Sequence, residues 1–153
     1  MRLIVAVVGK PRNAALAAAI KEYETRAARY WPLDVHEVRE ERASGVSSTI
    51  VRRREGERLR DRTGAVRIVA CDPSGKSLTS EEFAEWLKRE RDRDRDTAFV
   101  VGGAYGLSDE ILNESSMKLS LAPWTLPHEL ARLVLAEQLY RAGSIARGEP
   151  YHK

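Results

Sequence analysis

Short apolar runs alternate with longer amphipathic or charged stretches, and the alternation repeats about five times along the chain. "RLIVAVV" (Arg2 to Val8) is apolar after its first residue and ends at Gly9-Lys10-Pro11, which predicts a buried strand. Asn13 is placed to cap a helix over "AALAAAIKEYETRAARYW", which Pro32 stops. "LDVHEVRE" alternates imperfectly and predicts a short, more exposed strand, followed by the polar loop "ERASGVSS". "TIVRRREGERLRDR" predicts a charged helix that tolerates Gly56 and ends at Gly64. Ala65 to Asp72, "AVRIVACD", is the next strand, and Pro73-Ser74-Gly75-Lys76 predicts a turn after it. Thr79 or Ser80 caps a helix from Glu81 to about Arg93. "TAFVVGG" is a strand, Ser108 caps the short helix "DEILNESS", and "MKLSLA" is the last strand. Such an order predicts an α/β fold with a mostly parallel sheet covered by helices on both faces. Residues 1–153 read as a single domain with no internal repeat.

The stretch "SLAPWTLPHELARLVLAEQLYRA" (Ser120 to Ala142) holds the final helix and departs from the usual pattern. Its first part has the prolines of a loop yet almost no charge, whereas loops face water. Within the helix, Leu130, Leu133, Val134, Leu135, Leu139 and Ile145 leave no wide polar face. A domain this small can rarely surround one helix, so burial against a second copy is expected, that is, a homodimer. Glu137 and Arg141 lie at i and i+4 on one stripe, in the favourable order.

Composition changes this picture little. Hydrophobic residues make up 42% and charged residues 32%, ordinary for a globular chain, and the net charge is only +3. The apolar N-terminal run carries no cleavage-site pattern, and no run approaches the roughly 20 residues that span a bilayer, so no membrane is expected. Cys71 is the single cysteine, which excludes an internal disulfide and fits a reducing cytoplasm. Arg52 to Arg62 carries six arginines against three acids and is a candidate contact for nucleic-acid phosphate. The sign-alternating run from Lys88 to Asp96 reads as a solvated helix end.

Several motifs bear on chemistry. "GGAYG" (Gly102 to Gly106) follows a strand and precedes a helix; it is either a tight turn or a ligand-binding one, and it lacks the dinucleotide fingerprint. "GKS" (Gly75 to Ser77) lacks the first glycine of a phosphate loop and reads as a plain turn. Cys71 has no neighbour in sequence that would activate it and reads as a small buried thiol. His36, His128 and His152 have no metal-ligand spacing, so no metal is expected. The closing "GEPYHK" is either a frayed tail or a substrate-facing arm.

Taken together, "VAVVGK", "RIVACDPSGK", "VVGGAYGLS", "LSLAPWTLPHELARLVLAEQLYRAGSI" and the terminal "PYHK" resemble the ribosomal large-subunit RNA methyltransferase H family, pseudouridine N3-methyltransferases of the SPOUT class. The resemblance covers the whole chain. It implies a C-terminal trefoil knot over roughly residues 65–153, a homodimer, S-adenosyl-L-methionine as cofactor, and methylation of a pseudouridine in large-subunit (23S) ribosomal RNA on the assembled ribosome. It assigns cofactor binding to Cys71, Gly102, Leu121, Ala122, Pro123, Trp124, Thr125 and Leu126. It assigns substrate and catalytic roles to His128, Arg141, Tyr151, His152 and Lys153. Among these, His152 is the first candidate proton acceptor and His128 the second. Arg141 or Lys153 would stabilise the developing anion, and Tyr151 would stack on an unstacked base. Two positions depart from the common pattern: "GGAYG" stands where many members have "GGPEG", and Lys153 where many have arginine, which keeps the charge but loses the bidentate fork.

Overall fold

The computed structural model describes residues 1–152; the side chain of His152 and the whole of Lys153 lie outside the described residues. Five strands and five helices alternate strictly. They are β1 (Leu3–Val8), α1 (Ala14–Ala27), β2 (Leu33–Val38), α2 (Ser48–Thr63), β3 (Arg67–Ser77), α3 (Ser80–Asp92), β4 (Thr97–Val101), α4 (Asp109–Glu114), β5 (Met117–Ser120) and α5 (His128–Ala146). A 3₁₀ turn at Pro150–His152 follows α5. The sheet order is β2-β1-β4-β3-β5, and every pairing is parallel.

Local chemistry explains most of the boundaries. Asn13, Ser47 and Ser108 each accept a hydrogen bond from the backbone N–H three residues on. Thr79 closes a full capping box with Glu82, so the cap falls on Thr79 rather than Ser80. Helix α1 stops at Ala27, short of the expected tryptophan. Trp31 instead closes the turn after it and is buried at 1% exposure, with its indole N–H donating to the Leu139 carbonyl at 2.9 Å.

Parallel pairing buries β1 and β4 on both faces, and each is buried at every position. One face carries α1, α3 and α5 over a core that includes Leu3, Val5, Phe99, Leu87, Leu135 and Leu139. The other carries α2 and α4 over Ala6, Val8, Leu59, Val100 and Ile111. The edge strand β2 is mostly half-exposed, as its imperfect alternation predicts.

Strand β3 corrects the sequence expectation. It does not end at Asp72 but resumes to Ser77, and both Cys71 and Lys76 pair with Leu119 of β5. Asp72 to Gly75 therefore bulge out of the ladder. The Asp72 carboxylate caps the bulge by accepting from the Ser74 backbone N–H at 2.9 Å. The strand rejoins at Lys76, just after Gly75, where a Cβ would stand 2.5 Å from the Lys118 carbonyl carbon; only a glycine lets the two backbones approach so closely.

Within one chain α5 lies between α1 and α3 on the sheet, and it is not covered on every side. Leu130 is exposed, and Leu133, Val134 and Ile145 are half-buried. Its buried stripe also contains Arg132, which makes a bidentate contact with Glu24 at 2.7 and 3.1 Å and lies 3.5 Å from Glu37. This ion pair ties α5 to α1 and β2.

Candidate active site

The bulge of β3 and the loops after β4 and β5 converge on one cleft of about 350 Å³ at the carboxyl end of the sheet. This is the crevice where open α/β sheets bind ligands. Its floor comes from Cys71, Asp72 and Pro73 of the bulge, and a wall from Val101 and the Gly102–Gly106 turn. Leu121, Ala122, Trp124, Thr125 and Leu126 form the opposite wall, closed by His128 and Ala131 from the start of α5. Seven of the eight expected cofactor residues line it; Pro123 belongs to the same loop but not to the lining.

The Gly102–Gly106 turn is held by its own backbone. The Gly106 N–H donates to the Gly103 carbonyl at 3.1 Å, and the two residues form an isolated antiparallel bridge. A Cβ on Gly102 would lie 2.5 Å from the Gly106 carbonyl carbon. Gly106 itself has φ +82°, the left-handed region. Leu121 to Leu126 offers main chain and apolar side chains, with Trp124 78% exposed at the mouth. Tyr105, 47% exposed, stands on the other side of the same cleft. Burial, with Asp72 adding, pushes the Cys71 thiol up to about 12, so it stays neutral and serves as wall rather than nucleophile.

His128 is the only expected catalytic residue in this cleft among the described residues. Its Nε2 lies 3.8 Å from Oε1 of Glu40, which also accepts from Arg12 at 2.8 Å. Arg141 and Tyr151 gather elsewhere, thirteen residues further along α5 at the helix's far end, about 20 Å of helix away. There Glu137 accepts from Arg141 at 2.6 and 3.0 Å, and the Tyr151 hydroxyl reaches the same oxygen at 3.2 Å. The Arg141 guanidinium stacks 4.9 Å above the Tyr151 ring, and Tyr140 packs on its side at 4.5 Å. The hydrogen bond to Glu137 raises the Arg141 pKa, and burial, followed by the bond with Tyr23, raises that of Tyr151. The start of the tail is thus docked on α5 rather than frayed. His152, as a side chain, and Lys153 lie outside the described residues.

Three charged residues escaped the sequence reading. Glu55 sits in α2 between Val51 and Leu59, on a stripe that is buried throughout. Glu90 follows Phe83 and Leu87 on the buried stripe of α3 and is 2% exposed. Arg132 precedes Leu135 and Leu139 in the same way. The signal was a charge at a core position of a helix, where burial without a partner is costly. Glu90 is paid for by Arg67 at 3.0 Å, with Arg93 and Arg95 just under 4 Å, so the sign-alternating run is not wholly solvated.

The arginine-rich helix also differs from expectation. Arg54 and Arg58 pair with Glu41, and Arg60 with Glu114, so half of the six arginines serve the fold. Arg52 and Arg53 have no acidic partner among the described residues, and Arg53 is fully on the surface.

The chain that folds into this all-parallel sheet, with its strand-end cleft walled by an apolar loop and a glycine turn, matches over residues 1–152 the family described as "Predicted SPOUT methyltransferase". The fold is shared with a probable methylase family protein from Haemophilus influenzae, at TM-score 0.59 and 13% identity over 99% of this chain and 70% of that one. It is shared likewise with the tRNA (m1G37) methyltransferase of Aquifex aeolicus, at TM-score 0.53 and 13% identity over 99% and 72%. Relatives named ribosomal RNA large subunit methyltransferase H are far nearer in sequence: that of Gemmatimonas aurantiaca is 56% identical and that of an Anaeromyxobacter species 45%, each over the full length of both chains. The chain belongs to the ribosomal RNA large subunit methyltransferase H family. Among the described residues no helix is long and apolar enough to cross a membrane, and no cluster of three or more His, Cys, Asp or Glu is built to hold a metal.

Proposed function

We propose that the protein transfers a methyl group from S-adenosyl-L-methionine to N3 of a pseudouridine in large-subunit (23S) ribosomal RNA, on the assembled ribosome in the cytoplasm, as a homodimer with a trefoil-knotted C-terminal part. The observation that carries this reading is the joining of Cys71, Gly102 and Leu121–Leu126 in one cleft. At about 350 Å³ it lies in the usual range for small-molecule sites, about 300–1,000 Å³. Its chemistry suits a nucleoside with a sulfonium-bearing amino-acid stem. Backbone N–H and C=O groups of the apolar loop can read an adenine edge, and leucine, alanine and tryptophan side chains can cover the rest. Bound there, S-adenosyl-L-methionine supplies an electrophilic methyl group.

The chain's own residues must orient the base and manage its N3 proton. His128 lines the cleft beside Glu40, and on this reading it would accept that proton directly or through one water. Arg141 and Tyr151 offer a cation and an aromatic platform, but about 20 Å along α5 from His128. In the homodimer of this reading the partner's tail cluster, rather than the chain's own, would serve the cleft, and the incompletely covered face of α5 is the surface offered for docking. His152 and Lys153 extend that tail and remain the other candidates for proton acceptor and phosphate contact.

The test is methyl transfer from labelled cofactor to ribosomes from cells lacking the gene, with mass spectrometry of the RNA. A single methyl gained on a large-subunit pseudouridine is the expected result; methylation of transfer RNA alone, or none, would sink the reading. In the same assay, Arg52→Ala with Arg53→Ala should weaken ribosome binding and lower its salt slope by about 1.5, with cofactor affinity unchanged. An unchanged slope would show that α2 makes no phosphate contact.

A further inference from the structure

Glu55 is 5% exposed, yet it lies in neither wall of the cleft. Its Oε2 has no hydrogen-bond partner among the described residues. That oxygen sits behind the glycine turn: a Cβ on Gly103 would be 2.6 Å from it, and the Val8 side chain at the end of β1 would be 3.0 Å from that same Cβ. Leaving a buried carboxyl oxygen without a partner is a cost that leucine, its neighbour on the stripe, would not incur.

We propose, on the methyltransferase reading above, that Glu55 is a positioning residue for the cofactor turn: its carboxyl fills the space behind Gly103 and holds Gly102–Gly106 in the shape that walls the cleft. It touches neither cofactor nor substrate and acts through Gly103. The glycine leaves the room, and the carboxyl takes it up.

Its surroundings make this support depend on a proton. Burial first, then the charge of Glu40 and to a lesser degree of Glu41, raise the carboxyl to about 7 against the opposing pull of Arg58. Val8 and Gly103 bring no charge to the other sides. Below pH 7 the group is neutral and packs quietly. Above it, a carboxylate must sit against the turn with one oxygen unpaired, close to Glu40. The folded value lies above the ordinary one near 4.5, so the stabilising effect of the proton is complete at acid pH and is lost as pH rises through 7. Glu40 also lies beside His128, so pH effects shared by both side chains must be separated.

Titration calorimetry with S-adenosyl-L-methionine between pH 6 and 8.5 provides the test, on the wild type, Glu55→Gln and Glu55→Ala. The wild type should weaken at least threefold over that range relative to Glu55→Gln, which keeps the shape and cannot ionise. At pH 6 the glutamine variant should match the wild type within about twofold, whereas Glu55→Ala should lose tenfold or more. Parallel profiles for wild type and Glu55→Gln would overturn the role of Glu55 and leave the methyltransferase reading standing. Absence of binding by the wild type at every pH would overturn both. If Glu55→Ala does not fold, the comparison of wild type with Glu55→Gln still decides.

Discussion

Gly102→Ala is expected to reduce S-adenosyl-L-methionine affinity about a hundredfold, which corresponds to about 2.8 kcal/mol. The added methyl would meet three backbone atoms of its own turn: the Gly106 carbonyl carbon at 2.5 Å, its oxygen at 2.7 Å and the Leu107 nitrogen at 2.8 Å. None of these is the end of a flexible side chain that could swing away. The turn has to open, and the wall it forms opens with it. Gly106→Ala gives the internal comparison. Among the described residues nothing lies within 4 Å of a Cβ there, and the cost is only that of φ +82° on an alanine, about 1 kcal/mol. Calorimetry on both variants checks the ranking. A Gly102→Ala protein that binds as tightly as Gly106→Ala would show that the turn does not shape the ligand site.

Phe99→Ala should produce the largest loss of stability, about 3–5 kcal/mol. Phe99 is fully buried in the central strand β4 and meets Phe83 and Trp86 edge-on at 5.8 and 6.1 Å. Both rings belong to α3, so the deletion empties the joint between that helix and the sheet. Native domains hold about 5–15 kcal/mol in all, so the variant gives up a large share of it. The thermal midpoint should fall by about 10–15 °C, measured by circular dichroism, and Phe99→Leu should lose less than half as much. A drop under about 3 °C for the alanine variant would contradict the burial described for this joint.

Periodicity and capping residues carried most of the architecture. The unbroken apolar run of β1 identified a buried strand, that of β4 a strand, and Asn13 and Ser108 marked their helices correctly. The bulge of β3 was not legible, because Pro73 and Gly75 signal a turn, and no local pattern says that the strand will rejoin its neighbour afterwards. Charged partners were not legible either. That Arg132 meets Glu24, or that Glu90 meets Arg67, depends on which helices become neighbours, and spacing within one helix carries nothing about that. The cleft was found through family motifs rather than through physics alone. The low charge of Leu121–Leu126 raised the question, but only the fold shows that this loop faces Gly102 and Cys71.

The strand order has a consequence for how the chain matures. β1 and β3 are not neighbours; each pairs with β4, which arrives between them only when residues 97–101 have been made. Until then a nascent chain holds two greasy, half-dressed strands with no central partner. At about 5–20 residues per second, about 1–5 s of synthesis separates the end of β3 from the end of β4. A chain that belongs to the ribosomal RNA large subunit methyltransferase H family thus receives its keystone strand late, and its early half stays open to aggregation until that strand arrives.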